Sequence, residues 1–116
     1  ISLKGLIRLN RVNAMKLKLH TKPDVPLEAE SITPSVINKL KIKDIEKIKI
    51  FHGNREENIA DFFSVSKNKL EALEVEGDMN QVKYLGANMC DGEMYIEGNV
   101  GAHLGSAMSG GFIKVN

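Results

Sequence analysis

Acid–base, nucleophilic and metal chemistry rest on a few residue types, and this chain offers a short set of them. Its histidines are His20, His52 and His103, its one cysteine is Cys90, and its grouped carboxylates are Glu74, Glu76, Glu93 and Glu97. A metal or acid–base centre needs groups that converge. No H-x-x-H or E-x-x-H pairing joins the histidines, so they read as turn or solvent-facing residues. Cys90 has no basic neighbour in sequence to favour a thiolate, and Ser109 takes its place in a repeat described below. That exchange marks a small, polar-tolerant position and not a nucleophile. Paired carboxylates can hydrolyse bonds when they flank a pocket. Here they fall on outward strand positions of an open face and read as groups that meet solvent or a partner subunit. Gly98 and Gly101 lack the strand–G-x-G-x-x-G–helix context of a phosphate loop and read as turn glycines. Met79, Met89, Met94 and Met108 suit core filling better than a metal-binding row. The sequence therefore offers no catalytic, cofactor-binding or metal-ligating set.

The elements that carry these residues belong to a small chain. Its 116 residues are one domain's worth, and 42% apolar content supports a modest core. A net charge of +1 argues for neither nucleic acid nor membrane as partner. The charge is uneven, however. Residues 1–20 hold five basic side chains and no acid, whereas residues 71–116 hold seven acids against Lys83 and Lys114. The plain reading is two solvated faces of opposite sign; the sharper one is an acidic face that meets a basic partner subunit. A lone cysteine allows no internal disulfide and fits a reducing, cytoplasmic setting. No stretch reaches the roughly 18 apolar residues of a transmembrane helix. Residues 1–14 are basic, lack a continuous apolar core and precede Met15, so they are expected to be a tag or other non-native extension.

Along the chain, KLKLH (16–20) alternates as a strand does, and TKPDVPLEAE (21–30) reads as extended. Thr33 followed by Pro34 predicts the N-cap and first position of a short helix in 31–40. Residues 44–47 predict a turn of helix running into a strand, and His52-Gly53-Asn54 a turn. ADFFSV (60–65) reads as a strand. LEALEVEG (70–77) alternates, with Leu70, Ala72, Leu73 and Val75 as its apolar positions.

From Leu85 the chain repeats. LGANMCDGEMYIE (85–97) aligns with LGSAMSGGFIKVN (104–116) at an offset of 19 residues, matching Leu85 to Leu104, Gly86 to Gly105, Met89 to Met108 and Gly92 to Gly111. EVEGD (74–78) is a looser copy of YIEGN (95–99). A fixed period of this size implies a solenoid, and this one is too short for helical-pair repeats of about 33 residues. The segments between glycines alternate and are rich in β-formers. The expectation is a mainly β chain: a right-handed single-stranded parallel β-helix over 70–116, preceded by a short α/β N-terminal region over 15–69. Leu85 under Leu104 and Met89 under Met108 would form an apolar column, with Glu93, Tyr95, Glu97 and Lys114 outward. A left-handed hexapeptide helix is disfavoured because 19 is not a multiple of six.

The repeat GANMCDGEMYIEGNVGAHLGSAMSGGFIKVN resembles the G-x-G-x-G domain shared by the glutamate synthase large subunit and the C subunit of formylmethanofuran dehydrogenase. PDVPLEAESITPSVI (23–37) and IEKIKIFHGNREENIADFFSV (45–65) resemble the N-terminal region of the second. This resemblance covers about residues 16–116. It implies a non-catalytic structural subunit of the methanogen complex that reduces CO2 and fixes it as formylmethanofuran. Tungsten or molybdenum pterin, iron–sulfur clusters and zinc would then sit in other subunits, and the partners would be those subunits. Related bacterial complexes use a similar subunit for formyl transfer and hydrolysis. The family's C subunit is longer, so the expectation is a fragment, or a short protein that self-associates through an open C-terminal edge. The alternative from another class is a spacer module of a glutamate-synthase-like amidotransferase.

Overall fold

A computed structural model describes residues 14–116. The expected extension over 1–14 lies outside them except for Ala14, which is buried and whose carbonyl accepts a hydrogen bond from Asn68 N at 2.9 Å. The order of elements is β1 (Met15–Leu19), β2 (Leu27–Glu28), α1 (Pro34–Ile37), α2 (Ile42–Glu46), β3 (Lys49–His52), β4 (Arg55–Asn58), a 3₁₀ turn (Ile59–Asp61), β5 (Phe63–Lys67), β6 (Leu73–Glu76), β7 (Val82–Lys83), β8 (Glu93–Glu97) and β9 (Phe112–Val115). They form a five-stranded sheet ordered β5-β1-β6-β8-β9 and a four-stranded sheet ordered β4-β3-β2-β7.

This corrects the expected fold class. The chain is a small mixed α/β fold with two open sheets, not a parallel β-helix. Both sheets mix strand directions: β1 runs antiparallel to β5 and parallel to β6, and β2 runs antiparallel to β3 and parallel to β7. A repeat dictates parallel neighbours only where its own copies lie side by side. Here that covers β6, β8 and β9, whose ladders are parallel. The strands from non-repetitive sequence follow local turn chemistry instead. β3 and β4, for example, form an antiparallel hairpin closed by Gly53-Asn54, with Gly53 at φ +62° in the first central position.

The N-terminal elements form for legible reasons. Thr33 is extended (φ −148°, ψ 149°) and precedes Pro34 at the start of α1, as the sequence predicts. Its backbone carbonyl takes the amides of Val36 and Ile37, but its hydroxyl makes no cap. The 3₁₀ turn is held by a capping box in which Asn58 N donates to Asp61 Oδ2 at 2.8 Å. That turn takes the first residues of the strand expected over 60–65, so β5 begins only at Phe63.

The core lies between the sheets and the helices. In the five-stranded sheet, Leu17, Val75 and Ile96 share one inward row, and Leu73 and Met94 the next; all are fully buried. Phe62, Phe63, Ile37, Ile45 and Ile59 join them in one apolar cluster. Met79, Met89 and Met94 are core residues, but Met108 is 36% exposed. It belongs with Phe112 and Val115 to the copy that includes β9, which has a neighbour on one side only among the described residues. Leu70, one of the apolar positions of 70–77, is exposed.

The repeat is written most clearly in the backbone. Four left-handed positions recur 19 residues apart: Tyr84 and His103, Gly86 and Gly105, Asn88 and Ala107, Gly92 and Gly111. The rings of Tyr84 and His103 stack at 4.8 Å. Earlier the spacing is wider. Leu73 pairs with Met94, and Gly77 lies against Gly98, 21 residues on. The two extra residues fall between Gly77 and Tyr84, the stretch that supplies β7 to the second sheet.

Candidate functional site

Strand alternation sends Lys16, Lys18, Glu74, Glu76, Tyr95 and Lys114 to the outer face of the five-stranded sheet. Part of the uneven charge of the sequence is paired here. Lys16 lies 3.9 Å from Glu74, Lys18 3.7 Å from Glu76, and Lys22 2.9 Å from Asp78. The lysines of β1 thus sit beside the carboxylates of β6, its parallel neighbour in the sheet. Glu93 takes a hydrogen bond from the Tyr95 hydroxyl at 3.4 Å, and Glu97 one from Asn116 at 2.6 Å.

Asp78 is the focus of one such cluster. Lys22 donates to its carboxylate, Asn99 and the Asn80 amide add longer bonds, and together they hold its pKa below the ordinary 3.8. A carboxylate lowered on folding stabilises the native state above its unfolded value, and that contribution is lost as pH falls through the folded one. Asp78→Asn is therefore expected to lower stability slightly near neutrality and to flatten the loss of stability below pH 3.8. Urea midpoints of both proteins across the acid range check this.

The histidines divide. His20 is exposed, with ring nitrogens 2.9 Å from the Ala60 carbonyl and 2.7 Å from the Thr21 hydroxyl. His103 is exposed and stacks on Tyr84. His52, read as a turn or solvent residue, is instead 7% exposed at the end of β3. Its Nδ1 is 2.9 Å from Glu57 Oε2, and its ring meets the edge of Phe62 at 4.9 Å. Asp24 Oδ1 stands 2.8 Å from Nε2 without hydrogen-bond geometry. This site joins residues from three segments, which nothing in H-G-N signals. Its carboxylates face opposite ring nitrogens, so the three groups do not converge on one point.

Cys90 is exposed at a turn where Ser109 stacks one copy on, its amide donating to Met89 O at 2.9 Å. Cys90→Ser is expected to change stability by no more than about 0.5 kcal/mol. Native wild type should titrate one thiol with Ellman's reagent and the variant none. Gly98 and Gly101 lie against the backbone of the preceding copy, where an added Cβ would meet Gly77 O at 2.0 Å and Val82 O at 2.3 Å.

Two open hollows flank α1 and α2. One, of about 650 Å³, is lined by Ser35, Asn38, Lys39, Glu71, Asp91 and Glu93 among others. The other, of about 570 Å³, has Met15, Leu40 and Ile42 as apolar lining and Lys39, Lys41, Lys43 and Lys67 around them. Among the described residues no three His, Cys, Asp or Glu side chains are grouped to hold a metal. No described helix is long and apolar enough to cross a membrane.

No protein-family model matches the chain. The C subunit of the tungsten-containing formylmethanofuran dehydrogenase 2 of Methanothermobacter wolfeii is 39% identical over 90 residues, 73% of this chain and 33% of that protein. The C subunit of the molybdenum-containing formylmethanofuran dehydrogenase 1 of Methanothermobacter marburgensis is 35% identical over 83 residues, 70% of this chain and 21% of that one. A chain in the crystal structure of the formyltransferase/hydrolase complex from Methylorubrum extorquens, in complex with methylofuran, superposes with a TM-score of 0.78. It is 26% identical, and the match covers 87% of this chain and 38% of that chain. The chain thus spans about a third or less of the curated relatives it matches, and over that span it is a homologue of the C subunits of formylmethanofuran dehydrogenases.

Proposed function

We propose that this chain is a structural C-type subunit of a formylmethanofuran dehydrogenase, the complex that reduces CO2 and fixes it as formylmethanofuran in the cytoplasm of a methanogenic archaeon. The observation that carries this reading is 39% and 35% identity to C subunits of both the tungsten and the molybdenum enzyme. In this reading residues 15–69 are the N-terminal region, residues 70–116 the repeat region, and the chain itself performs no catalytic step. The relatives' names call for tungsten or molybdenum, and the described residues offer no donor set that fits either. As the resemblance implies, the reading places the metal pterin, the iron–sulfur clusters and zinc in partner subunits, and routes no chemistry through this chain.

A second reading has its own support. The TM-score of 0.78 to a chain of the formyltransferase/hydrolase complex favours a subunit that serves formyl transfer without the redox step. One experiment separates the two. The tagged chain is purified from a methanogen at moderate salt, co-purifying proteins are identified, and tungsten and molybdenum are measured in the eluate. Pterin-bearing subunits with stoichiometric metal support the dehydrogenase. Hydrolase-like subunits without tungsten or molybdenum support the second reading. Recovery of the chain alone as a stable species overturns both.

A further inference from the structure

The two hollows beside Lys39 differ in sign, and the difference is informative. Glu71, Asp91 and Glu93 line the first, whereas no carboxylate lines the second. Around the second, the sequence K-L-K-I-K (39–43) alternates cations with apolar residues, and Lys67 faces them from the end of β5. The sheet register places Lys67 opposite Met15, which supplies part of the apolar lining. Lys16, Lys18 and Lys22 each have a carboxylate within 4 Å. Among the described residues, none of the four lysines of the hollow has one. Four unpaired like charges around one hollow repel each other, and a partner's carboxylates relieve that repulsion. Leu40 and Ile42 are only partly buried and leave apolar surface within this ring.

We propose that this lysine-rimmed hollow docks an acidic segment of a partner subunit, with one apolar side chain of that segment seated on Met15, Leu40 and Ile42. The chemistry is that of an interface with an apolar centre and a charged rim. Charge complementarity selects the occupant. Residues 1–13 carry basic side chains and no acid, so this chain's own first residues are mismatched to the site. The inference rests on the subunit reading above and names the surface that reading would use.

The test is lysine acylation of the purified complex and of the isolated chain, read residue by residue by mass spectrometry, with zero-length carbodiimide cross-linking of the complex alongside. Lys39, Lys41, Lys43 and Lys67 are expected to be protected in the complex and to cross-link to aspartates or glutamates of one partner segment. Lys47, which lines neither hollow, should stay reactive. Lys41→Glu with Lys43→Glu is expected to weaken assembly on the order of tenfold or more, Lys41→Gln with Lys43→Gln less, and Lys47→Glu little. An assembled complex whose four lysines stay as reactive as in the isolated chain overturns this inference and leaves the subunit reading standing. Failure to enter any complex overturns both. Equal protection of the isolated chain by oleate overturns the protein-segment proposal in favour of a small amphiphilic anion.

Discussion

Replacing Gly98 by alanine is expected to be among the most damaging single substitutions in the described chain. The added methyl would stand 2.0 Å from the carbonyl oxygen of Gly77, at φ +130°, where L residues are strained. The obstacle is main chain, so no rotamer change relieves it. Strain at such a dihedral costs about 1–3 kcal/mol and overpacking about 1–3 kcal/mol, so the expected loss is roughly 2–6 kcal/mol. Gly53→Ala is the comparison. Its Cβ would meet only Val25 Cγ2 at 3.3 Å, at φ +62°, and the left-handed penalty alone is about 1–2 kcal/mol. Urea denaturation should rank the two in that order. A Gly98→Ala protein no less stable than Gly53→Ala would contradict the close approach of the two copies.

Phe63→Ala is the second large effect, with an expected loss of about 3–5 kcal/mol. Phe63 is 1% exposed at the start of β5 and packs into the cluster that joins both helices to the five-stranded sheet. A small domain has about 5–15 kcal/mol in total, so the variant should show a sharply lower midpoint or arrive unfolded. Phe51, on β3, is 45% exposed, and Phe51→Ala should cost no more than about 0.5 kcal/mol. The pair separates burial from residue type. Equal losses would mean that β3 and β5 present their aromatic residues differently from the arrangement described.

Much of the local structure is legible in the sequence. Alternation in residues 16–20 and 70–77 marks β1 and β6, and Thr33-Pro34 marks the start of α1, because period-2 burial and proline's fixed φ are local rules. The fold class is not. A 19-residue repeat suggests a whole architecture, whereas its copies direct only the parallel strands β6, β8 and β9. β4 carries no strand signal because R-E-E-N has no apolar alternation; its antiparallel partner β3 makes it a strand. Asn58-x-x-Asp61 does hold a capping signal, and it marks the 3₁₀ turn that shortens β5. His52 is hidden for a different reason. Its burial depends on Asp24, Glu57 and Phe62, and only the folded chain brings these together. The unpaired lysines are visible as K-L-K-I-K, but Lys67 joins them only through the pairing of β5 with β1.

The spacing between copies bears on how such a sequence can change over time. Where Gly98 lies on Gly77 and Tyr84 on His103, the contacts leave no slack, so a single inserted residue would throw every later match out of phase. The stretch from Gly77 to Tyr84 already holds two residues more than its counterpart from Gly98 to His103, and it uses them to reach the second sheet. Length variation between homologues should therefore collect in that one stretch, which already holds two extra residues.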